Sequence, residues 1–541
     1  MPFSTRHSLL RRFQVTLLMW CLVFNLMAQN VAWDNTRDKR WPAGFTQGEI
    51  PSSVDTTLQK AWFYAACGET PRPLLVSLHT WSGDYTQEDP LAAEAMLHNW
   101  NYIHPDFRGA NNHPGACGSP LTIADMADAI RYARDHSPAG TAEIHVAGVS
   151  GGGHAALMAF LQLPVEVASF SAWVPVTDLE AWYHESLARK NRYAVDVLRC
   201  TSHGDTLGIT EAHSRSPLFA PIKVERKGKT TLRIYAGIHD GYTGSVPISH
   251  AVTFFNRMAR EWHPSNRKLP VTPDLLLKLV TSRTHSQPET LLTLANRKVH
   301  LLREAPGLSL TLFEGTHEML VPQAFSLIPA QGQDYRLNRT ILTIGDSNGA
   351  AINGWPRQLS ALLPWSRIIN LSVSGNTIGF DNLGRHALNT LRNLNQYLDS
   401  AITLTGGNQG PDCIIFGLGT NDAKQVFADS TQVAGDNMEL LLHSTKSWFR
   451  EKGVPIPRLI VLTPPPMEEH LADHAKYGGG NQRISTLNRF LKRAAHKQGA
   501  HIIDIHALFP GNTPGHTTDG VHLTGEAQLR VAQEIIATLM H

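Results

Sequence analysis

The sequence lacks the patterns that mark several large classes of protein. It has no Cys-x-x-Cys pair, no His-Glu-x-x-His and no acidic metal-binding loop, so we expect neither a metal nor another cofactor. No Lys-Ser or Lys-Thr follows the glycine run 151–153, so this run is not a phosphate-binding loop. Internal repeats are absent as well. The sequence therefore points away from metalloenzymes, nucleotide-binding proteins and repeat proteins.

Long apolar runs are also absent, apart from a short one near the N-terminus. Residues 1–28 combine Arg6, Arg11 and Arg12 with an apolar run from Val15 to Phe24 and a small residue, Ala28. This is the pattern of a secretion signal, and the run is shorter than the roughly 20 residues of a membrane-spanning helix. We expect cleavage and export to the periplasm or the extracellular space, with no stable membrane anchor.

The sequence also has little excess of either positive or negative charge. The formal net charge is +2, and it becomes −1 when the three arginines of residues 1–28 are removed. A nearly neutral surface gives no reason to expect nucleic acid as a partner.

Cysteine is rare, with five residues in 541. Export would permit a disulfide among Cys67, Cys117 and Cys200, but the sequence leaves the pairing open. Cys413 lies in an apolar, strand-like run and is predicted to be a buried thiol.

The sequence does contain two series of short apolar runs that alternate with amphipathic stretches, which is typical of parallel strands linked by helices. The first series predicts strands at Leu74–Leu78, Ile144–Gly148, Phe170–Val176, Leu232–Ala236 and Leu308–Phe313. The second predicts strands at Thr340–Ile344, Ile414–Phe416, Leu459–Leu462 and Ile502–Ile505. Between them, residues 321–339 are rich in Pro, Gly and Gln and are interpreted as a linker. We therefore predict two α/β domains, at 33–320 and 340–541.

In the first domain, Ser150 lies between a predicted strand and a predicted helix, within Gly148-Val149-Ser150-Gly151-Gly152. A serine on such a sharp turn needs small neighbours and projects its hydroxyl above the sheet edge. It becomes a nucleophile only when a histidine takes its proton and an acid orients that histidine. The motif predicts Ser150 as a nucleophile.

The histidine and the acid should follow the serine, each just beyond a later strand. Asp240 and His317 meet this condition, with Asp178 as a competing acid. The oxyanion hole needs two backbone amides. We predict Gly151 for one, and Thr80 or Trp81 for the other.

The first domain resembles the prolyl-oligopeptidase-type α/β-hydrolases and their esterase relatives over residues 40–320. The resemblance rests on 148–153, 171–175, 106–109 and 237–247. Peptidases of that group carry a β-propeller, for which the segment before Leu74 has no room. The resemblance therefore implies an α/β-hydrolase fold and an esterase more than a peptidase.

The second domain carries four motifs in order. Ser347 follows the first strand in Gly345-Asp346-Ser347, and the other three motifs contain Gly375, Asn421 and His522. Ser347 would attack an ester, His522 would take its proton, and Asp519 would orient His522 from three residues upstream. Gly375, Asn421 and the Ser347 amide would hold the oxyanion. His516 competes for the histidine role but has no acid three residues before it.

These four motifs resemble the SGNH, or GDSL, hydrolases over residues 338–541. The resemblance implies a flavodoxin-like fold, with Ser347, Gly375, Asn421 and His522 as its motif residues and Asp519 in support. Both resembling groups recur among carbohydrate esterases, which implies an acylated carbohydrate as the substrate. We therefore predict an exported serine esterase that removes acetyl or other acyl groups through two independent active sites. The alternatives are a catalytic SGNH domain beside a non-catalytic α/β-hydrolase-like module, or a peptidase activity at Ser150.

Overall fold

A computed structural model describes residues 40–202, 204–285, 292–330, 337–405, 410–510 and 514–540. The predicted secretion signal, 1–28, lies outside the described residues. The chain divides into two compact α/β units, an N-terminal unit within 31–334 and a C-terminal unit within 335–541. No helix in the described ranges combines the length and apolar character needed to cross a membrane.

A ten-stranded sheet forms the centre of the N-terminal unit, in the order β1-β2-β4-β3-β5-β6-β7-β10-β9-β8. Its strands are β1 Thr46–Pro51, β2 Leu58–Tyr64, β3 Arg72–Leu78, β4 Asn101–Pro105, β5 Thr141–Val149, β6 Ser169–Trp173, β7 Thr231–Gly237, β8 Thr293–Leu294, β9 Arg297–Ala305 and β10 Leu308–Phe313. The six strands from β4 to β10 in this order run parallel, and antiparallel strands extend both ends.

Nine helices accompany this sheet in the described part of the unit. They are α1 Pro90–Leu97, α2 Pro120–Asp135, α3 Gly151–Gln162, α4 Leu179–Ala188, α5 Tyr193–Thr201, α6 Ile209–Ser214, α7 Ile248–Trp262, α8 Pro273–Ser282 and α9 Gln323–Ser326. The sequence explains where α1 and α2 begin. The side chains of Asp89 and Ser119 cap backbone N–H groups at their starts, and proline occupies the first turn of each helix.

All five strands predicted for the first domain are present. The predicted strand Phe170–Val176 is longer than the observed one, because β6 ends at Trp173. Val174 has a φ of 43°, and its N–H donates to Tyr235 O at 2.7 Å. The chain therefore leaves the sheet before the predicted end of the strand.

The three helices α4 to α6 form an insert, residues 179–214, between β6 and β7. The insert packs on Trp81 through a buried cluster that includes Trp182 and Val197. A disulfide joins Cys117 to Cys200 at the end of α5, which settles the pairing that the sequence left open. Cys67 is an exposed free thiol.

The predicted linker begins inside the N-terminal unit. The side chain of Phe325 in α9 is buried and packs on His98 and Trp100, with ring centroids 4.9 and 4.7 Å away. Arg233 Nη1 donates to Leu327 O at 2.5 Å. Residues 321–330 are thus a folded part of the N-terminal unit, despite their linker-like composition.

The C-terminal unit contains a five-stranded parallel sheet in the order β12-β11-β13-β14-β15. Its strands are β11 Thr340–Gly345, β12 Arg367–Asn370, β13 Cys413–Gly417, β14 Arg458–Leu462 and β15 His501–Ile503. Its helices are α10 Ser347–Ala350, α11 Trp355–Leu362, α12 Leu394–Thr405, α13 Thr431–Lys452, α14 His474–Tyr477, α15 Gly480–Lys497, α16 Ile505–Leu508 and α17 Gly525–Met540.

The four strands predicted for the second domain are present, although β15 ends at Ile503 because α16 begins at Ile505. One core cluster joins one face of β13 and β14 to α13 and α15 through Phe416, Val461 and Leu487, among others. Cys413 is a buried free thiol, as predicted, and burial raises its pKa to about 12.

Candidate active sites

Ser150 occupies a tight turn between β5 and α3. Its φ is 59° and its ψ is −116°, a strained conformation for a residue with a side chain. A Cβ on Gly148 would lie 2.1 Å from Gly152 O, and one on Gly152 would lie 2.2 Å from Leu78 O. Glycine is therefore required on both sides of the serine, as the motif indicates.

Ser150, His317 and Asp240 form a hydrogen-bonded series. The distance from His317 Nε2 to Ser150 Oγ is 2.8 Å, and that from His317 Nδ1 to Asp240 Oδ2 is 2.7 Å. A proton on Nδ1 bonded to the carboxylate leaves Nε2 free to accept the serine proton. The three side chains that the sequence analysis selected thus meet in a geometry suited to nucleophilic attack.

Asp240 is held firmly in this arrangement. Its side chain is 1% exposed. Its other oxygen, Oδ1, accepts the N–H groups of Gly241 at 2.8 Å and Val246 at 3.1 Å. The carboxylate therefore presents Oδ2 to His317 in one orientation.

The competing acid, Asp178, has another role. Its side chain accepts the N–H of Ala181 at 3.0 Å and so caps α4. This bond satisfies a donor at the helix start, which is a common use of aspartate. No hydrogen bond between Asp178 and His317 is present among the described residues.

The hydrogen bonds of the backbone amides near Ser150 indicate which of the predicted residues could form its oxyanion hole. A Cβ on Gly151 would lie 2.3 Å from Trp81 N, so the two backbone segments touch. Within the described chain neither of these two amides donates a hydrogen bond. Thr80 is wrong as a donor, because its N–H donates to Gln87 Oε1 at 3.0 Å. Gly151 and Trp81 are the pair that could hold an oxyanion.

The C-terminal unit contains a second series of the same kind. The distance from His522 Nε2 to Ser347 Oγ is 3.0 Å, and that from His522 Nδ1 to Asp519 Oδ2 is 2.7 Å. Ser347 begins α10 directly after β11, whereas Asp519 and His522 lie on the loop before α17. The predicted nucleophile, base and acid of the second domain are thus also brought together.

This second series is open to solvent. The side chains of His522 and Asp519 are 46% and 55% exposed, against 13% for His317. Burial acts to raise the pKa of Asp519, but hydrogen bonds from His522 and from the Val521 N–H outweigh it and lower the pKa. Asp519 is therefore ionised at neutral pH, as an orienting acid must be.

Gly375 and Asn421 lie on two turns that meet at Asn376, whose Nδ2 donates to Gly345 O, two residues before Ser347, at 3.2 Å. Gly375 has a φ of 91°, which favours glycine, and its carbonyl accepts a hydrogen bond from Asn382 Nδ2 at 2.6 Å. Asn421 Nδ2 donates one hydrogen to Asn376 O at 3.0 Å. A side-chain amide carries two such hydrogens, so one remains for a substrate oxygen.

His516, the competing histidine, is a structural residue. It is buried, and the distance from its Nε2 to Pro466 O is 3.0 Å. It belongs to a loop that Glu468 anchors, because the Glu468 carboxylate accepts the N–H groups of Gly515 and Thr517, each at 2.8 Å. The hydroxyl and backbone of Thr517 and the Gly515 N–H lower the pKa of Glu468 to about 2.

Two residues that position the catalytic loop belong to no motif predicted from the sequence. Glu468 is one, since its partners lie 47 and 49 residues away. The other is Asn348, whose Oδ1 accepts the Leu523 N–H at 2.9 Å and which thereby ties α10 to the segment after His522. Only the place of Asn348, immediately after the nucleophile, could have signalled its role.

Two buried carboxyl groups lie behind this site. Burial raises the pKa of Asp346 to about 6 and that of Asp422 to about 7. Asp346 accepts the Asn348 N–H at 3.0 Å, and Asp422 accepts the Ile378 N–H at 3.0 Å. Both carboxyls therefore hold the loops around Ser347. No cluster of three or more metal-ligating side chains occurs in the described part of the chain.

The C-terminal unit has an α/β fold, and its serine, histidine and aspartate have the spacing of a serine hydrolase triad. Residues 340–529 match the model of the GDSL-like Lipase/Acylhydrolase family. The chain thus carries a GDSL/SGNH acylhydrolase domain at its C-terminus, and such domains are carboxylic ester hydrolases.

Part of this chain is also weakly similar to several solved structures. A carbohydrate acetylesterase from Sinorhizobium meliloti is 23% identical with a TM-score of 0.33, over 38% of this chain and 99% of that one. An aryl esterase of M. smegmatis is 21% identical with a TM-score of 0.31, over 37% and 98%. An acylaminoacyl peptidase of Pyrococcus horikoshii is 15% identical with a TM-score of 0.32, over 39% and 34%. No curated protein matches the chain.

Proposed function

We propose that this chain is an exported serine esterase with two independent active sites, which removes O-acetyl or other acyl groups from polysaccharides or oligosaccharides. One observation carries the proposal. In both units the histidine Nε2 lies within hydrogen-bonding distance of the serine Oγ, at 2.8 Å for Ser150 and 3.0 Å for Ser347.

The chemistry would be the same at the two sites. The serine oxygen attacks the acyl carbon while the histidine takes the serine proton, and the oxyanion hole binds the developing negative charge. The ester C–O bond then breaks, the alcohol leaves with the proton from the histidine, and the acyl group stays on the serine. Water, deprotonated by the same histidine, releases the acid and restores the enzyme.

The two sites differ in enclosure, which supports a substrate bearing esters in different settings. The triad of Ser150 has a buried acid and a largely covered histidine, whereas that of Ser347 is open. An open site admits an ester on a bulky polymer, and a covered site favours a smaller or more extended group. Carbohydrate as the substrate and export both rest on sequence: the two resemblances, and the signal-like residues 1–28.

The first test is hydrolysis of 4-nitrophenyl acetate without added metal. S150A and S347A should each remove part of the rate, and the double variant nearly all of it, because losing a triad serine costs several orders of magnitude at its own site. A matched control is S282A, which changes an exposed serine at the end of α8. Full activity in the double variant would refute the proposal.

A second measurement distinguishes two working sites from one. A fluorophosphonate probe followed by peptide mapping should label both Ser150 and Ser347, since it reacts quickly only with an activated serine. Label on Ser347 alone would make the N-terminal unit a vestigial module. Cleavage of a peptide nitroanilide faster than acetyl esters would replace the esterase role of Ser150 with a peptidase role.

The substrate class needs a separate test. Acetate release from a panel of acetylated plant and microbial polysaccharides should exceed the release from simple lipid esters for the wild type. Repeating the panel with each single variant assigns substrates to sites. Absence of acetate release from every polysaccharide would rule out the carbohydrate assignment and leave the esterase chemistry standing.

A further inference from the structure

A cavity of about 370 Å³ lies between α5 and the loops that follow β3 and β4. We call it the arginine cavity, defined by Trp81, Ser82, Asn112, Arg192, Asp196 and Arg199. Its volume falls within the range of about 300–1,000 Å³ that is usual for small-molecule sites. No serine, histidine or aspartate of either triad lines this cavity.

The cavity adjoins the reaction centre of Ser150. Trp81 supplies both its wall and the backbone amide that touches Gly151. The Trp81 side chain packs edge-on against Trp182 of the insert, with ring centroids 4.7 Å apart. A ligand in the cavity would therefore sit next to an ester held at Ser150.

The charged residues of the cavity come from one side of α5. Arg192, Asp196 and Arg199 are spaced by four and three residues, so their side chains share one face of the helix. Arg192 Nη2 donates to Ser82 Oγ at 2.5 Å, which draws its guanidinium to the mouth of the cavity. The disulfide from Cys200 to Cys117 fixes the end of this helix.

Positive charge exceeds negative charge in the cavity. Two guanidinium groups face one carboxyl, Asp196, and no ion pair within 4.0 Å is formed by Arg192 or Arg199 with any described residue. Burial raises the pKa of Asp196, against the opposing effect of both arginines. Arginine is well suited to a carboxylate, because its planar group can donate two parallel hydrogen bonds.

The Trp81 indole gives an independent sign of a ligand. The residue is 1% exposed, yet its Nε1–H has no hydrogen-bond partner within the described chain. An interaction of this N–H with the Asp196 carboxyl acts to lower the pKa of that group, so Asp196 lies near the indole, but the pair does not reach the distance and angle of a formed hydrogen bond. A buried donor without an acceptor is unfavourable. A ligand oxygen entering the cavity would supply the missing acceptor.

We propose that the arginine cavity binds a carboxylate carried by the ester substrate of Ser150, with Arg192 and Arg199 as its cationic partners and the Trp81 indole as a further donor. This rests on the proposed esterase function of Ser150. Two sources present the same chemistry: a uronic acid residue in the glycan that bears the ester, or an acyl group with a free carboxylate at its far end.

The kinetic test uses the full chain with S347A, so that only Ser150 turns over. Methyl 3-O-acetyl-glucuronoside is compared with methyl 3-O-acetyl-glucoside, and 4-nitrophenyl hemisuccinate with 4-nitrophenyl butyrate. The acidic member of one pair should have a kcat/KM at least about tenfold higher, mainly through a lower KM, and the pair that shows it identifies the source.

Substitution then links the preference to the cavity. R192Q combined with R199Q should reduce the ratio of acidic to neutral kcat/KM to about one. R260Q, which changes an exposed arginine of α7 away from the cavity, should leave that ratio as it is. A wild-type ratio of one or less in both pairs, or a ratio unchanged by the double substitution, would overturn the proposal.

A binding measurement separates failure of the cavity from failure of Ser150. Calorimetry with the S150A full chain should detect methyl glucuronoside or succinate, but not methyl glucoside, and R192Q with R199Q should abolish the signal. Binding without any ester hydrolysis would refute only the esterase role of Ser150. Hydrolysis of neutral esters without binding of either acid would refute only the carboxylate site.

Discussion

The two triad acids differ in burial. Replacing each aspartate by asparagine should therefore reduce kcat/KM to a different extent. D240N and D519N are compared, the first in a chain with S347A and the second in a chain with S150A, with kcat/KM for 4-nitrophenyl acetate as the measurement. Asp240 has a side chain 1% exposed, whereas that of Asp519 is 55% exposed. We expect a loss of about a thousandfold or more for D240N and about tenfold for D519N.

The magnitudes follow from the surroundings of each carboxylate. An ion pair with charges about 4 Å apart is worth about 4 kcal/mol in a protein-like dielectric and about 1 kcal/mol in water. Each 1.36 kcal/mol is a factor of ten in rate.

Geometry is alike at the two acids, because Oδ1 of each accepts two backbone N–H groups, from Gly241 and Val246 at Asp240 and from Val521 and His522 at Asp519. An asparagine at either position must therefore turn its NH₂ toward its histidine and stabilise the wrong tautomer. The expected difference between the two losses thus rests on solvent screening of the more exposed Asp519. Equal losses in the two variants, or a greater loss for D519N, would refute this reasoning.

Three further outcomes are expected. G152A should lower the Tm of the N-terminal unit and abolish labelling of its nucleophile, since the new Cβ would lie 2.2 Å from Leu78 O. The pKa of Asp422 is raised from 3.8 to about 7, so the stability that this group contributes is complete below pH 3.8 and is lost as the pH rises through 7. In denaturant titrations, the free energy of unfolding of D422N should therefore fall less over that pH range than that of the wild type. Reduction of Cys117–Cys200, which closes a span of 83 residues, should lower the Tm by several degrees in calorimetry.

Catalytic residues could be predicted from the sequence where they lie directly after a strand or beside a partner in the chain. Ser150 and Ser347 come immediately after predicted strands, and His522 has its acid three residues before it, so local patterns placed them. His317 required a longer argument, because its only signal was its position after β10. The structure brings each of these residues to the predicted partner.

The remaining features depend on contacts between distant residues. The amide of Thr80 is taken by Gln87, a side chain that no motif marks. Glu468 reaches Thr517 across 49 residues, and residues 321–330 fold back although their composition is that of a linker. Antiparallel strands toward the ends of the sheet, such as β1 and β9, were also missed, because their pairing partners, not their own periodicity, define them.

The cystine at the end of α5 has a practical consequence for protein engineering. Since a covalent bond and the cluster around Trp182 anchor this helix, its outer residues have little part in keeping it in place. A combinatorial library randomised at 192, 196 and 199 would therefore mostly yield folded enzymes that differ in the esters they select.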